Sequence, residues 1–173
     1  FHYDAITIGN NEGISNPHWV LQRLFDHPDF PVILANLREE DESMPKWAVG
    51  HKIIKTKKNT RIALIGLTAA YPMTYGPNHW HVKMLGHAMD QQLAQIKDQY
   101  DVVILITHVG LKMDRWLAKN YPQIDLIVGG HSHDLLAHGE KVEHTWITQT
   151  GKWGNYVGDI QVELENHHVT KIV

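Results

Sequence analysis

The amino-acid sequence predicts a layered α/β fold built on a mixed sheet or on two packed sheets. Apolar, strand-like runs alternate with helix-like segments along most of the chain, as they do in α/β proteins. Near the end of the chain, strand-like runs follow one another with only short turns between them, which indicates an antiparallel flank. With 173 residues, 43% of them hydrophobic, the chain is long enough to bury a core as one domain.

Local patterns predict the individual elements. A helix is expected from Ser15 to about Asp26, because Ser15 and Asn16 suit a cap and Pro17 suits a first helical turn. Further helices are expected over 81–99 and 112–121, and loops over 38–46 and 69–80. The segments that predict strands are 4–9, 31–36, 51–57, 61–68, 101–106, 124–128, 145–150, 156–164 and 168–173. The third and fourth of these strands flank a Lys58-Asn59 turn and therefore predict a β-hairpin.

Composition excludes several classes of function. The chain has no cysteine, which rules out disulfides, thiolate zinc sites and cysteine nucleophiles. Its net charge is -3 and no stripe of lysine or arginine is visible, so we expect no nucleic-acid polymer as partner. No apolar stretch approaches the roughly 20 residues of a membrane span, so we expect no membrane partner. A small phosphorylated substrate stays compatible with the composition, because a bound metal ion would supply positive charge.

The motif Gly129-Gly130-His131-Ser132-His133 is the strongest chemical signal in the chain. It directly follows the apolar run 126–128, so it lies at the end of a predicted buried strand. Imidazole is the commonest protein metal ligand, and the two glycines allow the sharp turn that brings both rings away from the strand. A pair of polar loop histidines is the alternative, but this context favours metal ligation.

Two further strand ends carry side chains of the ligand type. His108 follows the apolar run 102–106, and Asn10, Asn11 and Glu12 follow the first predicted strand. Open α/β sheets build their sites at the carboxyl ends of strands, so these three ends are expected to converge. Taken alone, Asn10 fits a turn residue better than a metal ligand.

These residues resemble the ordered motifs of the calcineurin-like metallophosphoesterases. The matching segments are Gly9-Asn10-Asn11-Glu12, Thr107-His108-Val109-Gly110 and the Gly-Gly-His-Ser-His motif. Ala35-Asn36-Leu37 and Ile65-Gly66-Leu67-Thr68 are similar to the branch that contains 5′-nucleotidases and UDP-sugar hydrolases, especially its YunD-like bacterial members. The resemblance extends over nearly the whole chain and implies a four-layer αββα sandwich.

The resemblance also implies roles for individual residues. Asn10, His108 and His131 would bind one divalent metal ion, and His133 would bind a second. Asn11 would be the catalytic residue that stabilises charge on the transferring phosphoryl group. Asn36 could contact the substrate phosphate, although a turn at the strand end is the more common role of such an asparagine. Ligation by nitrogen and oxygen without thiolate suits Mn, Zn, Fe or Co.

The sequence departs from the family pattern in three respects. The family's early Asp-x-His and Gly-Asp motifs have no match and would lie before Phe1, so residues 1–173 are expected to be a catalytic-domain segment without its N-terminal motifs. The family's C-terminal nucleotidase domain also has no match. Most 5′-nucleotidases have histidine where this chain has Asn11, and an acidic residue where it has Ile14. Asparagine can donate a hydrogen bond but cannot carry the positive charge.

The implied activity is metal-dependent hydrolysis of nucleoside 5′-phosphates or nucleotide sugars at a dinuclear site, with weak or no turnover by the isolated segment. Two alternatives stay open within the superfamily, a binding module without turnover and a cyclic-nucleotide phosphodiesterase. A third alternative is a structural fragment whose histidines are coincidental. Because a missing first strand would leave a sheet edge unpaired, self-association of the segment is expected.

Overall fold

The computed structural model describes residues 3–27, 29–166 and 168–172. The α-helices are Asn10–Ile14 (α1), His18–Leu24 (α2), Pro72–Tyr75 (α3), Leu85–Gln95 (α4) and Leu111–Asn120 (α5). The β-strands are Val32–Ile33 (β1), Leu37–Arg38 (β2), Ala48–Val49 (β3), His51–Lys55 (β4), Arg61–Thr68 (β5), His81–Val82 (β6), Val102–His108 (β7), Leu126–Gly129 (β8), Glu140–Val142 (β9), Thr145–Gln149 (β10), Val162–Glu165 (β11) and His168–Ile172 (β12). None of the helices described here has the length and apolarity needed to cross a membrane.

A six-stranded mixed sheet forms the centre of the fold, in the order β4-β5-β7-β8-β10-β9. Strands β5, β7, β8 and β10 run parallel, and β4 and β9 add antiparallel edges. The predicted hairpin is confirmed, since β4 pairs with β5 across the turn at Lys58-Asn59. The parallel arrangement places the carboxyl ends of β7, β8 and β10 side by side at one edge of the sheet.

Both faces of this sheet are covered. Helices α4 and α5 pack on one face, where Ile65, Leu105 and Ile127 meet Met89 and Leu117 in a fully buried core. The short pair β1–β3 and helix α2 lie on the other side, in a second apolar cluster. This arrangement confirms the predicted layered α/β class.

The two sheets touch backbone to backbone at Gly66. Strand β5 alternates its side chains, so Ile65 points into the α4/α5 core while Gly66 faces β1. A Cβ added at Gly66 would fall on the carbonyl group of Ile33. The Ala35 N–H donates to the Gly66 carbonyl over 2.7 Å. Glycine is required at this position because a side chain would push the layers apart.

The predicted helix over 81–99 is wrong at its start. His81 and Val82 form β6, which pairs with Leu37 and Arg38 of β2, and α4 begins only at Leu85. The apolar periodicity of the segment was correct, but pairing with a distant strand overrides it before Met84. The predicted loop over 69–80 contains two short turns of helix, α3 and a 3-10 turn at Gly76–Asn78.

Several other elements differ from expectation. The predicted strand over 4–9 makes a single bridge, Ile6 to Val32, and the segment that follows it folds into α1. The predicted strand over 156–164 begins only at Val162, and β9 was not predicted. The described residues leave out Pro28, which would follow the helix predicted to end near Asp26, His167, between the last two predicted strands, and Val173, the predicted end of the last strand.

Candidate metal centre

The carboxyl ends of β7 and β8 bring His108 and His131 together. Their rings lie 5.1 Å apart, centre to centre, with a 70° angle between their planes. His108 is the last residue of β7, and His131 follows β8 after one further glycine. The structure therefore brings together two of the side chains that the sequence predicts as ligands, for the reason expected from neighbouring parallel strands.

The loop after β8 holds an uncommon backbone conformation. His131 and His133 have positive φ angles of 85° and 64°, a region that few non-glycine residues adopt. The Gly130 carbonyl accepts the Gly110 N–H over 3.0 Å, and the Ser132 hydroxyl accepts the Leu111 N–H over 2.9 Å. These bonds tie the loop to the start of α5. Strain of this kind persists where the surroundings hold it, and it is typical of ligand sites.

Helix α1 brings Asn10 to the same edge. Gly9 lies directly against the His108 ring, because a Cβ at Gly9 would stand 3.0 Å from Nε2 of His108. Asn10 is 7% exposed, and its Nδ2 donates to Oδ1 of Asn11 over 3.2 Å. Oδ1 of Asn10 is buried without a hydrogen-bond partner. A buried amide oxygen costs free energy unless something binds it, so this atom is the clearest sign of an absent ligand.

The electrostatic environment favours the neutral form of the two strand-end histidines. Burial lowers the pKa of His108, and the neighbouring His131 lowers it further, while the carboxylate of Glu12 opposes the shift. Burial also lowers the pKa of His131, with a smaller contribution from His133. A histidine must be unprotonated to bind a metal ion, so these shifts favour ligation at neutral pH.

Tyr71 contacts His131 on its outer side. The tyrosine hydroxyl lies 3.0 Å from Nε2 of His131, which leaves Nδ1 as the uncommitted ring nitrogen. Trp80, at the end of the same predicted loop, is 1% exposed and packs against His18 and Trp47 in the second core cluster.

A buried carboxylate, Asp114, lies beneath the two histidines. It is fully buried, and its oxygens accept hydrogen bonds from the Thr107 hydroxyl and the Gln149 amide, both at 2.7 Å. Burial raises its pKa to about 6. Sequence reasoning missed this residue, although a signal was present. Asp114 lies three residues after Leu111 and three before Leu117, on the apolar stripe of α5.

Asn36 occupies a different environment from the one expected of a substrate contact. It is fully buried, its Nδ2 donates to the Thr68 carbonyl over 2.8 Å, and its Oδ1 accepts the Thr68 N–H over 3.0 Å. These bonds fasten the segment after β1 to the end of β5. A substrate contact at Asn36 stays a prediction. It would require a hydrogen bond to open, because the Nδ2 of Asn36 also donates to the Lys83 carbonyl over 3.4 Å.

The predicted donor set consists of two imidazoles and one amide oxygen, a mixture whose chemistry suits borderline divalent cations. Within residues 3–27, 29–166 and 168–172, no three histidine or acidic side chains form a ready-made metal cluster. That result is consistent with a set whose third member is the amide of Asn10. His133 is exposed and is the only side chain that we predict for a second ion.

Comparison with curated proteins identifies relatives along nearly the whole chain. The chain is 35% identical to the uncharacterized metallophosphoesterase YunD of Bacillus subtilis over 165 residues, 95% of this chain and 36% of that protein. It is 28% identical to the protein UshA of Escherichia coli over 202 aligned residues, again 95% of this chain and 36% of the relative. The chain thus spans about a third of the length of these relatives. No protein-family model matches it.

Solved structures share the fold. A putative 5′-nucleotidase from Staphylococcus aureus superposes with a TM-score of 0.80 at 20% identity, covering 99% of this chain and 36% of that one. The sulfate thiohydrolase SoxB of Thermus thermophilus superposes with a TM-score of 0.84 at 17% identity, covering 98% of this chain and 32% of that one. At this identity the superpositions establish the fold alone.

Proposed function

Because the chain belongs to the calcineurin-like metallophosphoesterases, in the branch that includes 5′-nucleotidases, we propose that the protein hydrolyses phosphoric esters or anhydrides of nucleotides. The substrates we propose are nucleoside 5′-phosphates or nucleotide sugars. The single observation that carries the proposal is the unpartnered, buried Oδ1 of Asn10 at the edge where His108 and His131 meet.

Asn10, His108 and His131 would hold one divalent ion, for which Mn, Zn, Fe or Co are the candidates. His133 would contribute to a second. When bound, such ions neutralise phosphoryl oxygens and lower the pKa of the attacking water. The chain's own contribution is to hold two neutral imidazoles and an amide oxygen at one edge of a rigid sheet.

Asn11 would act on the phosphoryl group itself. Its Oδ1 accepts the Asn10 amide N–H, so its Nδ2 is left to donate. A donor in this place would stabilise negative charge that gathers on a phosphoryl oxygen in the transition state. The substitution of a neutral amide for the histidine found in most 5′-nucleotidases predicts slow turnover.

Tyr71 would set the orientation of His131. A metal-binding histidine commonly uses its second ring nitrogen in a hydrogen bond that fixes its tautomer and ring angle. If Nε2 of His131 donates to the Tyr71 hydroxyl, Nδ1 carries the lone pair that a metal needs.

The test is a calorimetric titration of the chain with Mn²⁺. We expect about one ion per chain, and binding should be lost in His131→Ala because one of the three ligands of that ion is removed. His144→Ala, which changes an exposed histidine in the turn between β9 and β10, is the matched control. Binding that survives in His131→Ala would overturn the proposed ligand set.

Phosphate release separates the hydrolase from the binding module. We expect weak release from nucleoside 5′-monophosphates, because only His133 is proposed for the second ion. The presence of Asn11 instead of histidine also supports a module that binds nucleotide without turnover. Saturable nucleotide binding with no phosphate release at any Mn²⁺ concentration would favour that second function over the first.

A further inference from the structure

Asp114 joins the carboxyl ends of three neighbouring strands. One of its oxygens accepts the hydroxyl of Thr107 on β7, and the other accepts the amide of Gln149 on β10. The strand between these two in the sheet is β8, and its last residue, Gly129, packs directly on the Asp114 carboxylate. A side chain at Gly129 would displace the carboxylate, so the two positions are fitted to each other.

Each partner of Asp114 lies next to a proposed metal ligand. Thr107 immediately precedes His108, and Gly129 lies two residues before His131. The Oε1 of Gln149 is 3.2 Å from the hydroxyl of Ser132, the residue between the two loop histidines, and the same hydroxyl lies 2.6 Å from Oδ2 of Asp134. The carboxylate therefore lies at the centre of the hydrogen bonds that support both strand ends.

Stability alone does not account for this carboxylate. Within the described part of the chain, the ion pairs found do not include Asp114, so no cation compensates its burial. An uncompensated buried carboxylate costs free energy, as the raised pKa of Asp114 reflects, and an apolar residue would fill the same helical stripe without that cost.

We infer that Asp114 is a positioning residue, which sets the spacing of His108 and His131 by tying β7, β8 and β10 together at their carboxyl ends. It does not touch the substrate or the metal. The inference rests on the proposed function in one respect, that the two histidines bind a metal ion.

Two matched threonines provide the first test. Thr107 and Thr145 are both buried in the central sheet, and each hydroxyl donates one hydrogen bond of 2.7 Å, to Asp114 and to the Ile124 carbonyl respectively. We expect Thr107→Val to weaken Mn²⁺ binding about tenfold, as the loss of a supporting hydrogen bond behind a ligand does. Thr145→Val removes an equivalent bond away from the site and should leave Mn²⁺ binding unchanged.

A rescue experiment separates positioning from general stabilisation. Gln149→Glu sets a second carboxylate against Asp114, and the repulsion between the two or the proton they share replaces the original amide–carboxylate hydrogen bond; we expect it to weaken Mn²⁺ binding about tenfold. Combining it with Asp114→Asn restores a hydrogen bond between positions 114 and 149, now with the donor at 114 and the acceptor at 149. The Mn²⁺ affinity should then return to within about threefold of that of the parent. A residue that only stabilises the fold would change the melting temperature without this pattern in affinity.

A metal-free measurement keeps the two proposals separate. The ¹⁵N–¹H ring spectra of His108 and His131 should shift in Thr107→Val and in Gln149→Glu, and should stay unchanged in Thr145→Val. Unchanged ring spectra in the first two variants would overturn the inference about Asp114, whether or not Mn²⁺ binds. Failure of the parent chain to bind Mn²⁺ would overturn the proposed function and leave the ring spectra to decide on Asp114.

Discussion

Histidines occur in two contrasting regions of this molecule. His18, His79 and His81 each bond a glutamate of the acidic segment 39–42, at distances of 2.6 to 2.8 Å. At the sheet edge, His108 and His131 instead face each other's rings, and burial lowers the pKa of both.

The difference lies in what surrounds the ring. In the first region a glutamate binds a ring nitrogen of each histidine, and these hydrogen bonds hold the segment 39–42 in place. The sheet edge supplies a tyrosine hydroxyl and a buried amide oxygen, and so leaves neutral nitrogen atoms available as ligands. Histidine therefore anchors a loop in one region (we call His18, His79 and His81 with their glutamates the tethers) and is a candidate metal ligand in the other.

Removing one histidine from each region is expected to give the largest difference in metal affinity between the two regions. We expect His108→Ala to weaken Mn²⁺ binding about 100-fold, because it deletes one of three proposed ligands. His79→Ala deletes a tether and should leave the affinity unchanged. Isothermal titration of both variants measures the contrast, and equal losses of affinity would abolish it.

The buried carboxylate beneath the sheet edge predicts a pH effect of about 2 kcal/mol on stability. The pKa of Asp114 is raised from 3.8 to about 6 in the folded protein. Between these values the folded state binds more protons than the unfolded state, so stability falls as the pH rises through this window and levels off above it. In Asp114→Asn this slope should disappear.

Urea unfolding at pH 4 and pH 7 measures this effect as the change in unfolding free energy for parent and variant. Taking the difference between them cancels the titration of all other groups. If the two proteins lose or gain the same amount of stability between these pH values, Asp114 titrates as an ordinary exposed carboxylate.

The Tyr71 hydroxyl gives a finer test of the sheet edge. We expect Tyr71→Phe to weaken Mn²⁺ binding about tenfold, because His131 loses the hydrogen bond that fixes its ring. Tyr156→Phe, at an exposed tyrosine away from the two histidines, is the control. An affinity equal to that of the parent would mean that the hydroxyl does not orient His131.

The smallest effect is expected at the tethers. Glu42→Gln removes the carboxylate that faces His81 at 2.6 Å and Lys83 at 3.6 Å, on side chains that are about half exposed. Exposed pairs of this kind contribute less than about 1 kcal/mol, and salt weakens them further. Urea unfolding should show a small loss of unfolding free energy at low salt only, with unchanged Mn²⁺ affinity. A larger loss would mean that this pair contributes substantially to the stability of the fold.

Sequence patterns were sufficient where structure is local. The runs that became β5, β7 and β8 are apolar over most of their length, as is typical of buried parallel strands, and their order brings His108 and His131 together. Helix α4 began later than predicted because β6 pairs with β2, more than 40 residues earlier in the chain. Such a pairing leaves no trace in local periodicity.

The supporting residues were harder to predict than the candidate ligands. Asp114 interrupts an apolar stripe by one residue, a pattern that is also found in half-exposed helices, and only the fold reveals that it reaches Thr107 and Gln149. Tyr71 lies in a segment whose short helical turns were taken for a loop. The pairing of His18, His79 and His81 with glutamates was equally hard to predict from the sequence, because these glutamates lie 21 to 39 residues away.

The close approach at Gly66 also governs how this protein can change over time. Where side chains separate two layers, each substitution in the core shifts the distance between them. Here the main chains of Gly66 and Ile33 meet directly, so that distance is set by atoms that every sequence has in common. Apolar residues on either side can therefore be replaced by larger or smaller ones without moving the layer that carries Asn10 relative to the histidines. Gly66 itself is the position that cannot be substituted.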